Sequence, residues 1–254
     1  MSELRQLPAT DSDALLDAID RDGGVIALDF LSAPRLAELR ADIERAMAGM
    51  QWGHNDEDAP DAFSGLTTKR FRGLPKYSDH IERLLTDARL LSLARRRLGD
   101  RIIVSTAELM AIGPGEVRQR FHRDGDSWHR AGLERDILFS ANVALTDFRR
   151  ANGATVVVPG SHRWERFRAP TDDEIAYVEM PAGAALLYSG RIVHCGGANA
   201  TTDARIGLYI GYIPSWLRPI ENFAVSVGSD RLERLGSETR DLLCYRKSGF
   251  HVVV

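Results

Sequence analysis

The sequence predicts a mainly β fold, a β-sandwich or jelly roll with helices packed at its N-terminal side. Three observations lead there. From about residue 101 the chain reads as short runs rich in β-formers, among them RIIVSTAELMAIG, DILFSANVALTD, ATVVVPG, AALLYSG and RIGLYIGYIP, each bounded by Gly, Pro, Asn or Asp. Few helix-length patterns interrupt them, and many short strands with turn punctuation mark sandwiches and jelly rolls. The first hundred residues carry helical periodicity instead, and no repeat, low-complexity tract or clear linker separates the two parts. One domain is the simplest organisation. It has a helical part over about 1–100, a β core over about 101–220 and a C-terminal extension over 221–254, whose role the sequence leaves open.

Taken in order, SAPRLAELRADIERAMAGM offers Ser32 as an N-cap and Pro34 in the first turn. Leu36, Leu39, Ile43 and Met47 follow at spacings of three and four, which places them on one helix face. QWGHNDEDAPDAFSGLTTKRFRGLP runs from acidic to basic with scattered Gly and Pro and reads as a long loop, a kind of segment that is often functional. SDHIERLLTDARLLSLARRRLGD reads as a helix with Asp79 and Glu82 as a capping box and Gly99 at its end.

Composition narrows the function. Of the 254 residues 44% are hydrophobic and 27% charged, as in a soluble globular protein large enough to bury its own core. The formal net charge is −3 and no long basic stripe appears, so nucleic acid is not an expected partner. Cys195 and Cys244 form neither a CxxC motif nor a disulfide framework, which fits a reducing compartment. The N-terminus is charged from its third residue, and no apolar stretch reaches the ~20 residues a bilayer span requires. The expectation is a cytoplasmic protein with no membrane partner.

The chemistry-bearing stretch is RQRFHRDGDSW. His-x-acid alone is weak: with 7 histidines and 36 acids, about one such pair arises by chance. Three occur. His54 and Asp56 lie in a charged loop, and His80 and Glu82 lie at a helix start, where alternate residues face apart. His122 and Asp124 follow a β-rich run, and in a strand residues two apart share a face. A non-haem iron site typically adds a second histidine and leaves other positions open. His194, ending a β-rich run before two glycines, is the stronger candidate; His162, in the turn PGSH, is its rival.

FHRDGDSW, NGATVVVPGSH, VHCGGANATTDARIGLYIGY and DRDGGVIALDFLSAPRLAELR together resemble the phytanoyl-CoA dioxygenase family of iron(II)- and 2-oxoglutarate-dependent oxygenases. FSGLTTKRFRGLPKYS is similar to a branch that acts on specialised metabolites. The resemblance implies a double-stranded β-helix, a cupin-like jelly roll, with iron at one open end. It matches His122, Asp124 and His194 to the iron ligands. It matches Arg205, eleven residues after His194, to the arginine that holds the distal carboxylate of 2-oxoglutarate. Gln119 and Thr155 match residues that contact the same cosubstrate. It further implies that O₂ and 2-oxoglutarate are converted to succinate and CO₂ while a small molecule is oxidised. Hydroxylation is the default, with desaturation, epoxidation or ring formation as variants. The presence of Asp124 argues against a halogenase, which would lack that carboxylate.

Physical chemistry agrees. A buried carboxylate needs a partner, and a guanidinium offers a two-donor fork. Asn142 either lends the pocket a hydrogen bond or is a buried amide satisfied by backbone. Cys195 reads as a small apolar residue, not a ligand. Trp128 and His129, in a segment that reads as part of a lid, and Thr68 and Arg70, in the earlier loop, are candidate substrate contacts. For Trp128 the alternative is surface packing, and for Arg70 a solvated basic loop. Two other classes stay open: a zinc-dependent hydrolase on the same triad, and a non-catalytic jelly-roll binding protein. Monomer and homodimer are both compatible with the sequence.

Overall fold

A computed structural model describes residues 3–53, 63–129, 136–165 and 167–245, except for the side chain of His129. The chain begins β1 (Gln6–Pro8), α1 (Ser12–Asp22), β2 (Gly24–Leu28), α2 (Ala33–Met47) and β3 (Thr68–Phe71). It continues α3 (Asp79–Leu85), α4 (Ala88–Leu98), β4 (Ile102–Ile112), α5 (Asp126–His129), β5 (Phe139–Ala144), β6 (Val156–Val157) and β7 (Ala176–Tyr177). It ends β8 (Ala185–Ser189), β9 (His194–Cys195), β10 (Arg205–Pro214), α6 (Phe223–Ser226), α7 (Ser229–Leu232) and α8 (Ser237–Leu242). The strands form a seven-stranded sheet, ordered β1-β2-β8-β5-β10-β4-β3, and a three-stranded sheet, β7-β6-β9. The fold is the double-stranded β-helix that the resemblance implies.

The large sheet has two unlike faces, and strand alternation makes them so. Ala107 and Leu109 of β4, Phe139, Ala141 and Val143 of β5, and Leu208, Ile210 and Tyr212 of β10 point to one side. There they pack against Ile19 of α1, Ile43 of α2, Leu84 of α3 and Leu90 of α4 in one apolar core. The intervening residues Thr106, Glu108, Asn142, Arg205 and Tyr209 point to the other side and line a cavity. That polar face belongs to the functional site.

Three expectations need correction. The first hundred residues are not simply helical, because β1, β2 and β3 join the large sheet. GVIAL of β2 is a continuous buried run, paired with β1 on one side and β8 on the other, and such runs carry no period to read. The long loop around residues 51–75 contains β3, which pairs with β4 through Thr68↔Ile112 and Arg70↔Met110. The helix over 79–98 is two helices. The Asp87 side chain accepts the Arg89 N–H and starts α4, while Ser78, not Asp79, caps α3.

The C-terminal helices add Leu232, Leu242 and Leu243 to the main core. Glu221 fastens this segment. Its carboxylate accepts from the backbone N–H of Gly73 at 2.8 Å and of Ala107 at 3.0 Å, and from Ser226 Oγ at 2.6 Å. Residues 246–254 of the extension lie outside the described residues.

Candidate active site

His122 and His194 are brought together by backbone pairing. Each donates its N–H to the other's carbonyl at 2.9 Å, so residue 122 adds to the edge of β9 and the imidazoles share one face. Their ring centroids lie 4.4 Å apart. Asp124, two residues on, completes the group. Its Oδ1 is 3.4 Å from His122 Nε2 and 3.5 Å from His194 Nε2, and one donor atom from each residue lies within 4.8 Å of the others. Glycine makes the turn after Asp124 possible. Gly125 donates to the Gly190 carbonyl at 2.8 Å, and a Cβ there would meet that oxygen at 2.9 Å. Gly197 plays the same part after His194, where a Cβ would meet the Ala154 carbonyl at 2.4 Å.

The imidazoles are oriented for metal. His122 Nδ1 faces the Arg120 carbonyl and His194 Nδ1 the Ile192 carbonyl, both at 3.1 Å. A proton held at Nδ1 leaves the Nε2 lone pair free for an ion. Burial lowers the His194 pKa against the pull of Asp124, which favours the neutral ligand form. Burial alone would raise the Asp124 carboxyl. Protonated imidazoles outweigh it, His194 by its charge and His122 by hydrogen bond and charge, with the Tyr188 hydroxyl added, and hold Asp124 well below the usual range; with neutral imidazoles a bound cation takes their place. Two neutral imidazoles and one carboxylate on one side of an open space suit a ferrous ion, and they suit zinc as well.

The rivals fall away on geometry. His162 Nε2 faces the Asp20 carbonyl at 3.1 Å, in a 3-10 turn. His80 pairs with Glu38 at 3.3 Å, and His54 and Asp56 lie outside the described residues. Cys195 is fully buried among Val156, Val158 and Val193, and burial pushes its thiol up to about 12. It is the small apolar residue that the sequence suggests.

The cavity beside the triad measures about 590 Å³. Arg205 reaches it from the start of β10 and is 2% exposed. Its Nε and Nη2 donate to the Gly153 carbonyl at 3.0 and 2.9 Å, and its guanidinium lies 4.2 Å over the Phe148 ring. Nη1 is buried without a partner among the described residues, and so is Asn142 Oδ1. Both lie against Gly207, where a Cβ would come within 2.6 Å of Asn142 Oδ1 and 3.3 Å of Arg205 Nη1. Burial, then the nearby charge of Arg70, lowers the Arg205 pKa to about 9. A buried cation with a donor to spare, beside three side chains that could hold a metal ion, fits a ligand carboxylate.

The other expected residues divide. Thr155 is buried and lines the cavity. Gln119 lines it too, but both ends of its amide serve the backbone. Nε2 donates to the Phe63 carbonyl at 2.6 Å, and Oε1 accepts from Gly196 N–H at 3.0 Å. Thr68 lines the cavity while its hydroxyl donates to Glu116 at 2.9 Å. Arg70 is not a solvated loop residue: it lines the cavity and pairs with Glu108 at 2.7 Å. Trp128 does not line the cavity. It packs on Ile103, Leu138 and Ile213 and donates to the Arg218 carbonyl at 3.4 Å, so the alternative of surface packing holds. The side chain of His129, and residues 130–135 of the segment read as part of a lid, lie outside the described residues.

Five residues escaped the sequence reading. Glu116 gathers Thr67 N–H, Thr68 Oγ and Val117 N–H at 2.7, 2.9 and 3.1 Å, and so ties the 63–68 stretch to the metal-pair segment. Phe63 in that stretch sets its ring edge-on to His122 at 5.0 Å. Tyr188 donates to Asp124 Oδ2 at 3.2 Å, and Tyr209 shares a hydrogen bond with Ser140 at 3.1 Å. Glu108 faces the cavity between Arg70 and Arg72. The available signal was polar residues at alternate positions of apolar strands, as in STAELMAI and FSANVA.

Comparison with known proteins decides the family. The phytanoyl-CoA dioxygenase (PhyH) family model matches residues 19–207. The chain belongs to the phytanoyl-CoA dioxygenase family. Among similar proteins is the dioxygenase swnH1 of Metarhizium robertsii, 29% identical over 97% of this chain and 87% of that one. Another is the dioxygenase ALT11 of Alternaria alternata, 30% identical over 94% and 83%. A solved structure of the epimerase SnoN in complex with Fe3+, alpha ketoglutarate and nogalamycin RO is 25% identical. It covers 82% of this chain and 86% of that one, with a TM-score of 0.65. The carbocyclase SnoK, at 20% identity and a TM-score of 0.63, shares the fold. This member of the family is accordingly a 2-oxoglutarate-dependent non-haem iron dioxygenase that acts on a small molecule with iron(II) and O₂. Among the described residues no helix is long and apolar enough to cross a membrane.

Proposed function

We propose that His122, Asp124 and His194 hold the iron, that Arg205 receives the distal carboxylate of 2-oxoglutarate, and that the enzyme hydroxylates a specialised metabolite. One observation carries the reading: a 2% exposed arginine, its Nη1 without a partner among the described residues, opens on the same cavity as three converging side chains able to bind a metal. A zinc hydrolase would need the triad but would give Arg205 no purpose, and a binding jelly roll would need neither.

When bound, the iron would bring 2-oxoglutarate and O₂ together: O₂ would be the oxidant, 2-oxoglutarate would lose CO₂ and leave as succinate with one oxygen atom, and the other oxygen atom would enter the substrate. The chain positions and shields. Nε2 of each histidine and Oδ1 of Asp124 fix the ion on one side. Arg205, held by Gly153 and Phe148, sets the depth of the cosubstrate. Thr155 and Asn142 line its berth, and Gln119 supports it by holding Phe63 and Gly196 in place. The metabolite enters past Val117, Phe167 and Ile220, which are exposed apolar residues on the cavity wall, and its polar groups meet Thr68, Arg70 or Glu108. A cytoplasmic monomer or homodimer, free of nucleic acid and membrane, accords with the −3 charge and the two free thiols.

The test is anaerobic reconstitution with iron(II), followed by O₂ and 2-oxoglutarate. Succinate is expected even without the true substrate, through slow uncoupled turnover. Zinc-dependent hydrolysis without succinate, or no metal binding, overturns the reading.

A further inference from the structure

We propose that Tyr188 is a positioning residue that keeps Asp124 a one-oxygen ligand. The inference rests on the reading that Asp124 binds iron, and it extends that reading to a side chain outside the ligand set.

The two carboxylate oxygens of Asp124 have different neighbours. Oδ1 is the atom near both imidazoles, at 3.4 and 3.5 Å from their Nε2 atoms. Oδ2 accepts the Tyr188 hydroxyl at 3.2 Å. A phenol is protonated and a donor at neutral pH, and the carboxylate is an acceptor, so the bond has one direction. Tyr188 is itself fixed. It is 3% exposed, it packs among Ile26, Ile192 and Leu186, and its ring meets the edge of His194 at 5.2 Å. Its backbone is locked between Gly24 of β2 and Ser140 of β5. The donor therefore has little freedom to follow the carboxylate if it turns.

The consequence is a matter of coordination positions. Two imidazoles and a one-oxygen carboxylate take three of six positions on a ferrous ion. A keto acid takes two more by chelation, and one remains. A two-oxygen carboxylate would take that last position. By occupying Oδ2, Tyr188 keeps it open. Partners behind a metal ligand of this kind typically change metal affinity or activity by about 10–100-fold when removed.

The experiment compares wild type with Tyr188→Phe, which keeps the ring and removes only the hydroxyl. Anaerobic titration measures iron(II) binding, followed by 2-oxoglutarate binding to the iron-loaded protein. Infrared difference spectra of the zinc-loaded proteins, with aspartate isotopically labelled, report whether the carboxylate binds through one oxygen or two. Expected are a roughly unchanged melting temperature, a change of about 10–100-fold in iron or cosubstrate affinity, and a shift from one-oxygen to two-oxygen binding. Wild-type affinities in the variant overturn the inference, as does a two-oxygen signature in the wild type. A two-oxygen signature in the wild-type spectrum does so even if the variant fails to fold. Failure of wild type to bind iron, by contrast, overturns the proposed function itself.

Discussion

Replacing Arg205 by Met separates stability from cosubstrate binding. The guanidinium is 2% exposed, and burial beside Arg70 holds its pKa at about 9. Against an ordinary value of about 12.5, the gap of roughly 3.5 at ~1.36 kcal/mol each puts the penalty for burying the charge on the order of 5 kcal/mol. The contacts that offset it are two hydrogen bonds to the Gly153 carbonyl, at about 1–3 kcal/mol, and the stacking on Phe148, at up to about 2 kcal/mol. Methionine keeps contact with Phe148 and carries no charge. Without cosubstrate, then, the variant should melt no lower than wild type. With iron(II) under nitrogen and 2-oxoglutarate at 100 times its Kd, wild type gains about 2.7 kcal/mol. For a chain of this size that is a rise of about 5–10 °C in melting temperature. The variant should show none. Scanning fluorimetry measures both quantities. An Arg205→Met protein that keeps the wild-type shift with 2-oxoglutarate would refute the reasoning.

Gly207→Ala places a methyl group within 2.6 Å of Asn142 Oδ1 and 2.8 Å of Phe148, so it should cost about 1–3 kcal/mol and raise the KM for 2-oxoglutarate, measured by succinate release. Glu116→Ala removes the acceptor of two backbone N–H groups and of the Thr68 hydroxyl, and should lower stability by about 2–4 kcal/mol in urea unfolding. Burial would raise the Glu116 pKa, but its hydrogen bonds to Thr67, Thr68 and Val117 lower it on balance. Its contribution is therefore present above the unfolded value and lost as pH falls through the folded one, and the Ala variant should lack that acid-side loss. Trp128→Ala should destabilise the packing with Ile103 and Ile213 yet leave the KM for 2-oxoglutarate unchanged; a large KM effect would return Trp128 to the site.

Much of this was legible in the sequence because it depends on short-range rules. The strands after residue 101 and the helix after Ser32 follow from period, capping and turn residues. His122 and Asp124 do converge, but through a single bridge at residue 122 and a turn at residue 124, not through the strand that their spacing suggested. The glycines after His194 read correctly as close approach of backbone. What stayed hidden was set by tertiary partners. GVIAL gave no period because both its edges and both its faces are covered. TDAR concealed a helix break, since Asp87 caps α4 only once Arg35 and Arg89 gather on it. Trp128 follows the metal pair directly in sequence, but α5 turns its ring toward β4 and β10 and away from the cavity.

Tyr188, Tyr209 and Glu108 were missed for a further reason, which concerns how this fold stores a polar site. In a strand with one wet face, polar alternation usually means solvent. Here the polar face of β4, β5 and β10 is turned inward and the apolar face is covered by helices, so the same alternation means a cavity. The helix-side core, with Phe139, Leu208, Ile210 and Tyr212 all at 1% exposure or less, supplies the burial that stabilises the sheet. The inner face is then free to hold groups that a core would reject: a guanidinium with a spare donor and an amide oxygen, both without a partner among the described residues, and phenols around a carboxylate. Such unsatisfied groups destabilise a folded chain unless a ligand completes them. Their concentration on one wall of the cavity that Asp124 and His194 also line is the physical signature of a site built to be filled by a metal and a dicarboxylate, not one built for stability alone.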